Sequence, residues 1–269
     1  MGKPLVIGQI SLSFHTAAAA VVAELLEQLG HNTVLREAPH EAMYGLLQAG
    51  EVDLVVSAWL PDSHGVYLAP LRNEIEYLSV IYEPYCLWGI PADAPKDIIS
   101  VSDLARPEIA AMFRKRIQGI APGAGISRFS RQMVDIYGLA EHGFHFENGT
   151  LDDCTSAYLD AMAAGSLSIM PLWHPQWVHT ECPPRELIDP KGLLGGQDNA
   201  TLVLRKDALD KISPQGLNML RKIYLGNETM SGLDHDICRK GMTPKEAARA
   251  YLTREPELVR NWLNEGSNV

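Results

Sequence analysis

The stretch Ser57-Ala58-Trp59-Leu60-Pro61-Asp62-Ser63-His64 follows Val52-Asp53-Leu54-Val55-Val56, an apolar run that reads as a buried strand. Trp59 stands at its expected carboxyl end, and Pro61 stops the ladder. In open α/β sheets, ligands bind in the crevice beyond such strand ends. Trp59 is then either an aromatic wall of a cleft or a core ring capping the sheet. Pro171-Leu172-Trp173-His174-Pro175-Gln176-Trp177 repeats the form: an expected strand, Leu167–Leu172, ends in a tryptophan and a proline follows. Two facing indoles suit a cation with no N–H to donate, because the ring faces carry negative charge. Trp177 is expected to pack as core.

Ala121-Pro122-Gly123-Ala124-Gly125-Ile126-Ser127 is a glycine-rich turn between a strand and a helix. Its N–H groups and the helix dipole favour an anion, although an ordinary tight turn has the same composition. The Gly-Lys-Ser/Thr ending of a nucleotide loop and the full GxGxxG pattern are both absent, which argues against a nucleotide or dinucleotide. Neither His142-Gly143-Phe144-His145 nor His174 with His179 has an acidic ligand at metal spacing, and no HExxH or GxSxG is present. No metal and no cofactor are expected. Cys154 lies beside Asp152 and Asp153, which would raise its thiol pKa, so a catalytic thiol is not expected there.

The elements that must position these groups alternate. Leu5–Ile10 reads as a strand, His15–Leu29 as a helix ended by Gly30, and Thr33–Arg36 as a strand. Glu41–Ala49 is an expected helix and Val52–Ala58 a strand. A second set follows, with strands Ile117–Ile120, His145–Glu147 and Leu167–Leu172, and helices Gly125–Tyr137 and Leu151–Ala164. Thr201–Leu204 is a returning strand. The tail from about Lys206 is helical, with Thr243 and Pro244 opening one helix. Such β-α-β alternation predicts parallel sheets flanked by helices.

With 269 residues, 46% of them hydrophobic, the chain can bury a large core in one domain or two lobes. A net charge of −10 argues against nucleic acid, and Arg114-Lys115-Arg116 reads as a solvated face. No apolar run reaches the ~20 residues of a membrane span. Lys3-Pro4 leads straight into the first strand, so a secretory signal was either removed or never present. Cys86, Cys154, Cys182 and Cys238 have no CxxC spacing and read as thiols rather than disulfides or zinc ligands.

SAWLPDSH, the GIAPGAGIS turn, LWHPQW, Asp189-Pro190-Lys191-Gly192 and the tail from Gly241-Met242-Thr243-Pro244 to Trp262 together resemble the substrate-binding proteins of glycine-betaine-type ABC transporters. The resemblance covers nearly the whole chain. It implies a two-lobed type II periplasmic-binding-protein fold, each lobe a mostly parallel sheet flanked by helices, with the ligand cleft between lobes. Lobe I would be residues 1–86 and 198–269, and lobe II residues 87–197. Hinges would lie near Glu83–Trp88 and Gly195–Leu202. By motif, Trp59 and Trp173 match two positions of a tryptophan cage around a trimethylammonium group. Backbone N–H groups of Gly125 and Ile126, with His64, match the clamp on the ligand carboxylate. A third cage tryptophan corresponds here to Leu12, which leaves one wall open, and Phe14 is a candidate substitute ring.

The resemblance implies a non-catalytic binding protein that delivers glycine betaine or a related amine–carboxylate zwitterion to a membrane permease, working as a periplasmic or extracytoplasmic monomer. A ligand sensor or cytoplasmic binding protein with the same site is the alternative. An enzyme on this fold would need a nucleophile or metal set that is not legible in the sequence.

Overall fold

The computed structural model describes residues 3–264. The first stretch of the chain forms β1 (Leu5–Ile10), α1 (Ser13–Gln28), β2 (Thr33–Ala38), α2 (His40–Gln48), β3 (Leu54–Leu60), α3 (Gly65–Leu68) and β4 (Ile75–Tyr82). The middle stretch forms β5 (Tyr85–Ile90), α4 (Pro107–Ala110), β6 (Arg116–Gln118), α5 (Gly125–Ile136), β7 (His145–Glu147), α6 (Leu151–Ala163), β8 (Met170–His174), α7 (Val178–Glu181) and β9 (Arg185–Glu186). The last stretch forms β10 (Asn199–Arg205), α8 (Pro214–Leu220), α9 (Gly226–Cys238), α10 (Pro244–Arg254) and α11 (Pro256–Leu263).

These elements fall into two compact units. The first takes the chain up to Pro84, the triplet Pro175–Trp177, and the chain from Asp198 onward; the second takes Tyr85–His174 and Val178–Gln197. Tyr85 and Cys86, expected in the first lobe, instead open strand β5 of the second unit, because both pair with β8.

The first unit is built on a five-stranded sheet of order β2-β1-β3-β10-β4. β1 runs parallel to β2 and β3, whereas β10 runs antiparallel to β3 and β4. The strands β2, β1, β3 and β4 therefore all point the same way, the mostly parallel set that was expected, and β10 alone is reversed. The reason lies in where the chain leaves and returns. It departs after the carboxyl end of β4, and Asp198 N–H donates to Pro84 C=O as it comes back. β10 thus starts opposite the carboxyl ends of β3 and β4 and can only run against them. α1 is apolar on nearly all sides, with Phe14 through Leu26 buried, as expected of a helix packed between a sheet and other helices. It lies against β1 and β3 and against α9 and α10, and its run Ala17–Ala20 lets those neighbours come close.

The second unit holds a three-stranded antiparallel sheet, β8-β5-β9, and a separate parallel pair, β6-β7. In this unit, unlike the first, the strands do not form one mostly parallel sheet. β6 and β7 are three residues each and pair only with one another, while β5 recruits β8 and β9 directly as antiparallel neighbours. α5 and α6 both pack on β8. The Asp189-Pro190-Lys191-Gly192 segment fastens the end of α5. Tyr137 Oη donates to the Asp189 carboxylate, Lys191 N–H donates to Tyr137 Oη at 2.9 Å, and the Lys191 ammonium lies 4.6 Å from the Tyr137 ring centre. No helix of the described residues is long and apolar enough to cross a membrane.

Candidate functional site

In the first unit, the expected groups gather at the carboxyl ends of the parallel strands. β3 runs through Trp59 to Leu60, so Trp59 sits inside the ladder, opposite Ala200, rather than at its end. The Leu60–Pro61 peptide is cis. His64 then turns back on Trp59 twice. Its backbone N–H donates to Trp59 C=O at 2.8 Å, and its ring Nδ1 accepts from Trp59 N–H at 2.9 Å. Asp198 closes the same loop by accepting from Asp62 N–H (2.7 Å) and Ser63 N–H (3.1 Å), and burial raises its carboxyl pKa. The spacing of Trp, Pro and His is therefore first of all the geometry of a closed loop. It also sets a tautomer: a backbone N–H can only donate, so the neutral His64 ring carries its proton on Nε2.

The Trp59 indole is fixed at its other end as well. Its Nε1–H donates to Tyr82 Oη at 2.9 Å, and Tyr82 also hydrogen-bonds Ser57, while burial pushes the phenol pKa up. Ser57 Oγ in turn pairs with His15 Nδ1. Ser57 has φ 61°, the sole left-handed non-glycine backbone among the described residues. It sits where Val56 and Ser57 of β3 face Leu202 alone on β10, a β-bulge. The bulge turns a strand serine toward the site, at the cost of a backbone conformation that L-residues disfavour.

Phe14, a candidate ring from the sequence, is buried, and its ring centre lies 5.4 Å from that of Trp59. Leu12 immediately precedes α1, half-buried, and packs with Leu60 and Tyr67 against the core. The structure adds groups the sequence did not single out. His15 and His40 lie with His64 so that one ring nitrogen of each is within 4.8 Å of the others, and all three rings are buried. Tyr44 lies 5.5 Å from His64, ring centre to ring centre, and stacks on Tyr67. A signal for them did exist. β2, β1 and β3 are adjacent parallel strands, and each is followed closely by a histidine: His40, His15 and His64 respectively.

In the second unit, Gly125 and Ile126 open α5 after the N-cap residue Ala124, and both are buried. The N–H groups of a helix's first turn have no intrahelical acceptor. Two arginines hold the preceding turn by its carbonyls. Arg128 donates to Gly123 C=O at 2.6 Å and Arg131 to Pro122 C=O at 3.0 Å, while Ser127 Oγ donates to Ile120 C=O at 3.1 Å. Trp173 lies within β8, opposite Cys86, and is buried; the strand starts at Met170 and continues to His174, past the expected end at Leu172. His179 Nε2 contacts Trp173 C=O at 3.0 Å, and the His174 ring stacks on Tyr85. Cys154 is buried with its thiol pushed up to about 12, first by desolvation and then by Asp153. Trp177 is a core residue of the first unit, under the Arg239 guanidinium.

A family model described as the substrate binding domain of the ABC-type glycine betaine transport system matches residues 3–254. The chain belongs to this family. Among curated proteins, the glycine betaine/carnitine transport binding protein GbuC of Listeria monocytogenes is 25% identical over 160 residues, 60% of this chain. That match spans 53% of the Listeria protein, about half its length. Lactococcal OpuAC, solved in a closed-liganded conformation with glycine betaine, superposes with a TM-score of 0.86 at 22% identity, covering 98% of this chain and all (100%) of that one. An ABC-transporter choline binding protein in complex with choline superposes with a TM-score of 0.83 at 20% identity, covering 97% of this chain and 91% of that one. At these identities the solved structures establish the fold, that of the OpuAC-type periplasmic binding proteins.

Proposed function

We propose that this chain is the non-catalytic substrate-binding component of an ABC importer, taking up glycine betaine or a related amine–carboxylate zwitterion. It works as an extracytoplasmic monomer and passes the ligand to a membrane permease. The observation that carries the reading is the coupling of Trp59 and His64. Trp59, held at backbone and at Nε1, offers a fixed π face to a cation. Its N–H takes the Nδ1 lone pair of His64, which leaves the imidazole with Nε2–H, the form that donates to a carboxylate. One loop therefore sets both recognition elements of a zwitterion. In this reading Trp173 adds a second indole, and the first-turn N–H groups of Gly125 and Ile126 add donors to the carboxylate. Leu12 gives an apolar wall without an aromatic face, and Phe14 supports Trp59.

Calorimetric titration with glycine betaine, carnitine, choline and free amino acids tests this. Micromolar or tighter binding of a betaine, weakened about tenfold or more in Trp59→Ala, is the expected result. Equal affinity for choline would remove the carboxylate role of His64, Gly125 and Ile126. Absence of binding by any quaternary amine would overturn the proposed ligand class.

A further inference from the structure

The histidine cluster of the first unit exceeds what one carboxylate contact requires. His15, His40 and His64 approach one another at ring-centre distances of 5.4 to 6.4 Å, from three different strand ends. His40 and Tyr44 stand one helical turn apart on α2, and both are buried. The Tyr44 phenol oxygen is buried with no hydrogen-bond partner among the described residues. A buried hydroxyl in that condition is costly unless something else satisfies it. His15 is held by Ser57 from the bulge, and His64 by the Trp59 N–H.

Two kinds of guest suit clustered imidazoles: a metal ion, which takes lone pairs, and an anion, which takes N–H and O–H donors. The tautomer separates them. With Nδ1 of His64 accepting from Trp59 N–H, a metal on Nε2 would have to expel that ring's remaining proton and leave an imidazolate. An anion meets no such obstacle: it accepts from His64 Nε2–H, and Tyr44 O–H is a second donor beside that ring.

We propose that His15, His40, His64 and Tyr44 form one acid-recognising subsite for the ligand, and that filling it draws a proton into the histidine cluster. This rests on the zwitterion-binding function proposed above. An anion beside a buried imidazole favours the charged ring, so a cluster kept neutral by burial takes up a proton as the anion enters. Desolvation, and then the nearby His40, hold His15 well below the ordinary imidazole range, which is consistent with a His15 ring that is neutral before binding. The other titratable groups about it are Tyr44, Tyr67 and Tyr82, together with Asp198 and its neighbour Asp62. Burial raises Tyr44 and Tyr82 far out of the neutral range. The carboxylate of Asp198 is occupied by two loop N–H groups.

The test is calorimetry of glycine betaine binding in two buffers of different ionisation enthalpy, between about pH 6 and about pH 8. Glycine betaine does not titrate there, so any buffer dependence reports protons taken up by the protein. The expected result is uptake of up to about one proton per ligand and tighter binding at lower pH. His40→Gln should bind about tenfold more weakly at the low-pH end and lose the buffer dependence. The wild-type buffer comparison stands by itself if the variant fails to fold. Binding without proton uptake, or uptake unchanged in a folded His40→Gln, overturns the subsite and leaves the proposed function intact. Absence of binding overturns both. A parallel titration with Zn²⁺ that gives tight one-to-one binding, lost in His40→Gln, would overturn the anion subsite in favour of a metal centre.

Discussion

Ser57 links three things that ordinarily do not meet in one strand residue: a bulge, a left-handed backbone and a buried hydroxyl shared by His15 and Tyr82. Through Tyr82 it also reaches the Trp59 indole. Two substitutions separate its backbone role from its side-chain role. Ser57→Ala and Ser57→Gly both remove the hydroxyl and leave buried His15 and Tyr82 groups short of a partner, a cost of about 1–3 kcal/mol. Only alanine retains the penalty of a positive φ. Ser57→Gly is thus expected to be more stable than Ser57→Ala by roughly 1 kcal/mol in urea unfolding. Equal stabilities would mean that the backbone at this position is not strained. Both variants should bind glycine betaine several-fold more weakly, because the indole loses one end of its bracing. At this scale the sequence singled out Trp59 by its place near a strand end before a proline, and His64 through the motif that carries the family resemblance. It did not single out Ser57, His15 or His40, whose roles come from a bulge against the remote β10 and from the strand order that sets β2, β1 and β3 side by side.

At the level of elements, hydrophobic periodicity and the residues that end elements located most helices and strands of the first unit. What periodicity lacks is the partner. β3 and β8 each run two residues beyond their expected ends, since Trp59 and Trp173 still have ladder neighbours in Ala200 and Cys86. The direction of β10 was equally hidden, being fixed by where the chain re-enters. One close approach decides how α2, which carries His40 and Tyr44, lies on the sheet. A Cβ added to Gly8 of β1 would stand 2.5 Å from Met43 Sδ and 2.7 Å from a Val52 methyl. Met43 belongs to α2 and is fully buried, so it has little room to yield. Gly8→Ala should therefore cost about 1–3 kcal/mol, seen as a lower urea midpoint with an unchanged slope. A midpoint equal to wild type would show that α2 shifts freely over β1, and the close packing assigned to this helix would be wrong.

Across the whole molecule, a chain that builds one unit, then a second, then returns to the first was foreseeable from the order of its strands. The capture of Pro175–Trp177 by the first unit was not, because the partners that Trp177 meets there, Asp234 and Arg239, are remote in sequence. Asp234 of α9 accepts from Trp177 N–H at 2.8 Å and from Ser13 Oγ–H at the start of α1. It is fully buried, and desolvation outweighs these hydrogen bonds, raising its carboxyl to about 6. In the unfolded chain the same group titrates near 3.9. The folded state therefore holds this proton more tightly, and stability from this source is greatest below about pH 4, falls as pH rises to about 6, and is constant beyond. The size is on the order of 2–3 kcal/mol. Other carboxylates pull the opposite way. Asp103, accepting from the N–H groups of Ser100 and Ile99, and Asp153, accepting from Thr150 N–H and Oγ–H, sit below the ordinary range, so the stability they give is lost as pH falls. A bare pH–stability curve mixes the two. The difference between wild type and Asp234→Asn isolates the buried group, since asparagine can accept from Trp177 N–H and donate to Ser13 Oγ without ionising. Urea unfolding of both proteins at about pH 4 and about pH 7 should show wild type losing on the order of 2–3 kcal/mol relative to the variant. If the two proteins change in parallel, Asp234 ionises as an ordinary carboxylate, and the segment it holds is reached by water.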